Sequence, residues 1–451
     1  MDIKEILQKI DIKAEEQEVK DFMIHSEATI GEFLKEKWNM FKQEQFFTLN
    51  VKSKQIQLPN GKKGKEYSTP FNIDSIGLPD VEKFEFVNLP DGISYSPEKG
   101  TIVGIPALAG DYKITLRCVS KKGYKAEKEI LFIVIPDPKD LWKSIPSEQD
   151  ATKFEYPKQD SDYDFVEVET KNMIAASQRG RSHAIDGKPR DDDFSLDFDK
   201  QTEWYTIVVA DGAGSANFSR KGSQIACQTS VEVCKKQLAE ISTLLEEQIK
   251  LYWDKKTEDE RKDTYEYLHQ MVGKAAFEAY KKICEEAAAK QRMPKEYATT
   301  LLLSICKKFE FGWFVGTFWV GDGGIGIYRK EPQELKILGE PDGGEFAGQT
   351  RFLTMQEIFS DRVRTRFEIV DDFTAIILMT DGITDPKFET DTNLNRIEKW
   401  NDLWEDLNGS NEDNAKVDFT GDKKQAAEQL LKWLDFWSKG NHDDRTIAIL
   451  F

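Results

Sequence analysis

The spacing of apolar positions changes twice along the chain, and each change marks a new region. Over residues 1–48, Ile3, Ile6, Leu7 and Ile10 fall at i, i+3, i+4 and i+7, and Ile30, Phe33, Leu34 and Trp38 form a second such stripe. That period predicts amphipathic helix. Over 49–136 the pattern becomes short alternating runs, Phe84-Glu85-Phe86-Val87 and Tyr112-Lys113-Ile114-Thr115-Leu116, punctuated by Leu89-Pro90-Asp91-Gly92 and Ala109-Gly110. Runs of this length with Gly and Pro at the turns predict a small antiparallel sandwich. Pro136, Pro138, Pro146 and Pro157, set among charged residues, predict a linker over 137–163. Beyond it, over 164–451, strongly apolar runs bracket two long helical stretches. One is expected at 220–252, with Ile225, Cys234, Leu238, Ile241 and Leu245 on one face, and the other at 258–290. Strands are expected at 300–307, 312–320, 326–329, 334–338, 375–380 and 446–451. Strand runs around two consecutive helices do not make a βαβα pattern; they predict an α+β fold of layered antiparallel sheets.

At 451 residues the chain exceeds one ordinary domain. Its 63 Lys and Arg against 81 Asp and Glu leave a formal charge of −18. Such a surface repels phosphate backbones and anionic lipid, so neither nucleic acid nor membrane is an expected partner. No apolar run reaches the roughly 18–20 residues that span a bilayer. The first twenty residues are charged throughout and lack the apolar core of a secretory signal, which predicts a cytoplasmic protein. Cys118, Cys227, Cys234, Cys284 and Cys306 form no CxxC pair and are expected as reduced, mostly buried thiols. His25, His183, His269 and His442 have no zinc-ligand spacing.

Three apolar runs end alike: WYTIVVA at Asp211-Gly212, FWVG at Asp322-Gly323, and FTAIILMT at Asp381-Gly382. Asp443-Asp444 stands just before the last run, and Asp191-Asp192-Asp193 precedes FSLDF. One Asp-Gly alone is most economically a hairpin turn. Repeated at the ends of several buried strands, the carboxylates would lie beside an apolar core and repel one another unless cations compensated them. A set of oxygen ligands without His or Cys suits Mg²⁺ or Mn²⁺. Gly212, lacking a Cβ, would let a metal approach its carbonyl.

In order, the chain supplies RDDDF, VVADGAGSANFSRKGSQIA, ATTLLLSI, VGDGG, LMTDGITDPKFETD and HDDRT. This succession resembles the PP2C family of metal-dependent protein serine/threonine phosphatases, in particular its bacterial branch. The resemblance covers about 285 residues. It implies a four-layer α-β-β-α sandwich of antiparallel sheets and hydrolysis of phosphoserine and phosphothreonine by water activated between two divalent cations, Mn²⁺ or Mg²⁺. Carried over by position, it implies that Asp211 bridges both metals, that the Gly212 carbonyl completes one, and that Asp381 and Asp443 hold the other. Asp192, with Asp191 beside it, matches an acidic pair that binds metal-coordinated waters. Asp322 matches a ligand of a weaker third metal, and Asp444 occupies an outer position. The implied partners are a phosphoprotein substrate and a serine/threonine kinase. In the sandwich region, LPDGISYSPEKGTIVGIPALAGDYKITLRC resembles immunoglobulin-like domains, which serve as spacers or interaction modules.

The chain also departs from the family pattern. The arginine that grips substrate phosphate in better-known members would fall at Gly187. Arg181 and His183, in QRGRSHAIDGKPRDDDF, are the candidates to replace it. Two other readings use the same residues: a phosphohydrolase of small phosphoesters, and a phosphoprotein-binding pseudophosphatase, which would require a lost ligand. A formal GxGxxG at Gly321, Gly323 and Gly326 is followed by an apparent strand, against a dinucleotide site. The stripe Trp400, Leu403, Trp404 and Leu407 is expected as helix core rather than a substrate platform.

Overall fold

The computed structural model describes residues 3–342, 350–360 and 362–451, and the chain divides into two compact units, Met1–Leu141 and Trp142–Phe451. The first unit opens with α1 (Ile3–Lys9) and α2 (Glu16–Ser53). The expected boundary at 48 falls inside α2, because Phe47 and Val51, one turn apart, are both buried in the core of the β-region. Seven strands follow: β1 (Gly61–Lys62), β2 (Tyr67–Pro70), β3 (Val81–Val87), β4 (Ile93–Ser96), β5 (Thr101–Gly104), β6 (Gly110–Ser120) and β7 (Lys125–Ile135). They form one sheet in the order β1-β7-β6-β3 and another in the order β2-β5-β4. The pleat sends Ile114, Leu116 and Cys118 of β6 inward while Thr115 and Arg117 face outward.

The second unit contains α3 (Arg181–Asp186), α4 (Ser219–Lys255), α5 (Glu258–Ala289), α6 (Asp381–Phe388), α7 (Ile397–Leu407) and α8 (Lys423–Leu434). Its strands are β8 (Ser161–Val166), β9 (Met173–Gln178), β10 (Asp193–Asp199), β11 (Trp204–Ala210), β12 (Leu301–Phe309), β13 (Gly312–Val320), β14 (Gly324–Arg329), β15 (Glu334–Gly339), β16 (Thr365–Val370), β17 (Ala375–Met379) and β18 (Arg445–Leu450). They make two antiparallel sheets, β10-β11-β12-β13-β16 and β15-β14-β17-β18-β9-β8.

Alternation along each strand builds four layers. In β11, Trp204, Val208 and Ala210 join the core under α4 and α5, while Tyr205, Ile207 and Val209 pack between the sheets. In β17, Ala375, Ile377 and Met379 meet α7 and α8, while Ile376 and Leu378 face the other sheet. Strands buried on both faces read as continuous apolar runs, which is why they stand out in the sequence. Trp400, Leu403, Trp404 and Leu407 are all buried in the α7–α8 core. A Cβ on Gly326 would lie 2.3 Å from the Trp400 ring, so this glycine serves packing of β14, not a phosphate. The expected linker at 137–163 is divided: from Trp142 onward it belongs to the second unit, and β8 begins at Ser161. No helix among the described residues is long and apolar enough to cross a membrane.

Candidate metal centre

The acidic positions singled out in the sequence converge on one end of the inter-sheet core. Asp211 directly follows β11, Asp322 follows β13, Asp381 opens α6 after β17, Asp443 precedes β18, and Asp191 and Asp192 precede β10. Carboxylate oxygens of Asp211, Asp322 and Asp381 lie within 4.8 Å of one another. Asp192 Oδ2 accepts hydrogen bonds from Thr380 Oγ1 at 3.0 Å and Thr446 Oγ1 at 2.8 Å. Asp322 Oδ2 accepts one from Thr350 Oγ1 at 2.6 Å. The second oxygens, Asp192 Oδ1 and Asp322 Oδ1, and likewise Asp381 Oδ1, are buried without a protein partner.

That arrangement is electrostatically unfavourable as it stands. Burial, and then the charges of Asp381, Asp192, Asp443 and Asp322, push the Asp211 carboxyl well above its usual range. Burial followed by Asp322 and Asp443 does the same to Asp381. Asp192 is pushed up to about 7 by burial and Asp444, and Asp443 is raised by the same two causes. Unsatisfied buried carboxylate oxygens this close together are costly unless a cation sits among them. The donor set is all oxygen, as Mg²⁺ or Mn²⁺ requires, so the residues fit the implied cations.

The backbone at Asp211 is fixed on both sides. Its N–H donates to Thr300 Oγ1 and its carbonyl accepts from Thr299 Oγ1 and Thr300 N–H, each at 2.8 Å. A Cβ on Gly212 would lie 2.7 Å from the Asp191 carbonyl, so glycine also lets the two acidic loops touch. Asp444 is the hub of the outer ring. It accepts from Gly180 N–H at 2.6 Å, from Asp191 N–H at 2.5 Å and from His183 Nδ1 at 3.1 Å. Burial disfavours its charge, yet these donors, led by His183, hold its pKa below the usual range. Burial also opposes charge on His183, but Asp444, Asp191 and Asp443 together raise it to about 9.

The two phosphate candidates part company. His183 Nε2 lies 3.8 Å from Asp191, at the metal centre. Arg181 pairs with Asp435 at 3.3 Å and packs over the Trp437 ring. Gly187 caps α3 in the left-handed region, φ 68°, against Ile145, and supplies no cation. Asp191 is raised to about 6 by burial and Asp444, with Arg220 3.8 Å away.

Thr380, Thr446, Ser223 and Lys158 are not among the acidic residues that mark the site in the sequence. The threonines had a partial signal, since each adjoins a named aspartate or lies in the last strand. Lys158 had none. Asp385, one turn after Asp381, is raised by burial and then by Asp322.

Residues 179–435, more than half of the chain, match the family described as "Protein phosphatase 2C". The matched stretch includes Asp191, Asp192, Asp211, Asp322 and Asp381 and ends before Asp443. No curated protein matches the sequence. Among solved structures, a bacterial serine phosphatase superposes at TM-score 0.36 with 13% identity, over 62% of this chain and 96% of that one. The S. agalactiae serine/threonine phosphatase superposes at TM-score 0.37 with 14% identity, over 64% and 99%. The catalytic domain of a serine threonine protein phosphatase in complex with two manganese ions superposes at TM-score 0.34 with 15% identity, over 64% and 97%.

Proposed function

Because the chain belongs to the protein phosphatase 2C family, we propose that it hydrolyses phosphoserine and phosphothreonine on proteins, using two divalent cations, Mn²⁺ or Mg²⁺. The observation that carries this reading is the set of buried, unpartnered carboxylate oxygens at Asp192, Asp322 and Asp381, brought together with Asp211. When bound, such cations acidify a water for attack on phosphorus at neutral pH and offset charge on the phosphoryl oxygens.

Asp211 would hold both ions, the Gly212 carbonyl would complete one, and Asp381 and Asp443 would hold the other. Asp322 would serve a weaker third site, and Asp191 and Asp192 would orient coordinated water. Asp444 fixes the His183 ring through Nδ1. That leaves Nε2 to hold the proton for the leaving serine or threonine oxygen, a poor leaving group without it. His183 rather than Arg181 is the group proposed to meet the substrate, because Arg181 is engaged by Asp435 and Trp437. A phosphomonoester on serine or threonine is made by a kinase, so a serine/threonine kinase is the implied source of substrate. Five unpaired cysteines accord with a reducing, cytoplasmic setting.

The test is hydrolysis of a phosphothreonine peptide and of p-nitrophenyl phosphate by protein dialysed against EDTA. Both activities should vanish and return with Mn²⁺ or Mg²⁺. Full activity in excess chelator would refute the metal centre. Hydrolysis of the small ester without any phosphopeptide or phosphoprotein turnover would move the substrate class to small phosphoesters.

A further inference from the structure

Residues 142–160 lie before the family match and after the first unit, yet they are threaded into the second unit beneath its acidic loops. The segment is anchored on both sides of Lys158. Upstream, the Glu155 and Tyr156 carbonyls accept from the Arg220 guanidinium at 2.8 and 2.9 Å, and Tyr156 Oη donates to Glu286 at 2.6 Å. Downstream, Asp160 pairs with Arg179 at 3.0 Å and accepts from Ser147 Oγ. The Lys158 carbonyl itself accepts from Gln149 Nε2 at 2.9 Å.

Held this way, the Lys158 side chain is only 10% exposed, and its ammonium ends at the turn that carries the acidic run. It donates to the Asp192 carbonyl at 2.6 Å and pairs with the Asp193 carboxylate at 2.8 Å. It also reaches Ser223 Oγ at 3.4 Å, while Ser223 donates to the Asp191 carbonyl at 2.5 Å. The backbone of Asp191–Asp193 is therefore gripped from outside at two carbonyls and one carboxylate. Asp444 grips the same turn from inside, at the Asp191 N–H. The Asp192 carboxylate leaves this turn toward Thr380 and Thr446, with its free Oδ1 buried.

Burying an ammonium is expensive, and a buried ion pair is seldom a net source of stability against an apolar replacement. Its return here is geometric: the one ammonium ties the Asp192 carbonyl to the Asp193 carboxylate, and so fixes the turn whose middle residue must face the ions. We propose that Lys158 is a positioning residue for the metal centre, holding the Asp191–Asp193 turn so that Asp192 presents its carboxylate to the cations. This rests on the metal-centre reading above. It adds a residue from outside the matched family region, supplied by a segment that reads as a linker.

The experiment is Mn²⁺ titration calorimetry on the full chain, with metal-free thermal unfolding and p-nitrophenyl phosphate kinetics alongside. Outer contacts of this type are worth about 10–100-fold in metal affinity. Lys158→Met keeps the stem and removes the charge; it should weaken Mn²⁺ binding at least about tenfold, with kcat recovering at high Mn²⁺. Asp193→Asn should weaken binding less, because the Asp192 carbonyl keeps its donor. Wild-type Mn²⁺ affinity in a folded Lys158→Met protein, whatever its melting temperature, overturns the proposal while leaving the metal centre intact. Should Lys158→Met fail to fold, Asp193→Asn decides: unchanged affinity there overturns the proposal. A wild-type chain that binds no Mn²⁺ removes the metal-centre reading and this inference with it.

Discussion

The two units are both built on pairs of mostly antiparallel sheets, but they bury different things. Among the described residues of the first unit the buried polar side chains are Thr69 and Ser120, and none is charged. The second unit buries Arg179, Arg190, Asp191, Asp192, Arg220, Arg364, Asp444 and Arg445. A layered β-fold therefore needs no interior charge for its own sake. Where carboxylates accumulate against their desolvation cost, and Asp192 carries an orphaned oxygen beside those of Asp322 and Asp381, something other than folding holds them there.

Four experiments probe that contrast, beginning with the largest effect. Asp211→Asn removes the carboxylate placed to hold both ions. Metal stabilisation of the transition state is worth several kcal/mol, and at about 1.36 kcal/mol per decade turnover should fall by roughly 10³-fold. The same change should raise the melting temperature of the metal-free protein, because it takes one charge out of a mutually repelling cluster. A lower metal-free melting temperature would show that the carboxylates do not strain one another.

The boundary between the units gives the second test. A fragment of residues 142–451 should fold and show phosphatase activity with Mn²⁺. A fragment of residues 164–451, which cuts into β8 and loses Lys158 and Asp160, should bind Mn²⁺ at least about tenfold more weakly and melt earlier. Equal affinity and melting temperature in the two would make residues 142–163 a true linker.

Third, Ile114→Ala in the first unit should cost about 2–5 kcal/mol, as for other fully buried aliphatics, and leave phosphatase kinetics unchanged. Ile114 is fully buried in β6. A parallel loss of kcat on phosphopeptide would show that catalysis depends on the state of that sheet. The smallest effect is expected from Gly326→Ala, whose methyl would press on Trp400. Overpacking of this kind costs about 1–3 kcal/mol, read as a fall in the urea midpoint with Mn²⁺ affinity preserved.

The sequence exposes what depends on period and on strand ends. Runs such as WYTIVVA are apolar on both faces because both faces are covered, and the carboxylate after each run marks where the chain leaves the core. Asp211, Asp322 and Asp381 were legible for that reason. Asp193, next to the acidic pair, engages Lys158 on the outer side of the turn. Lys158 itself was not legible. It stands among prolines and charges whose composition matches solvated chain, and only the fold shows that its ammonium is enclosed. The α2 boundary failed similarly: Phe47 and Val51 continue a helical spacing, and nothing local says that their neighbours are strands.

Strand β18 lies between β17 and β9 in its sheet, pairing residue 450 with residue 173, and Asp443 and Asp444 stand at its head. On the ribosome, the β8–β9 hairpin emerges early and then waits for its neighbour. At about 5–20 residues per second, that wait is on the order of tens of seconds. Throughout it the sheet is open at its middle and Asp443 is still in the exit tunnel or unmade. The hairpin and the β14–β15–β17 strands share no edge until then, and Asp444 cannot yet gather Gly180, Asp191 and His183. Until β18 pairs, the centre is incomplete, and the acidic loops made before it remain in water, where their charges are cheap.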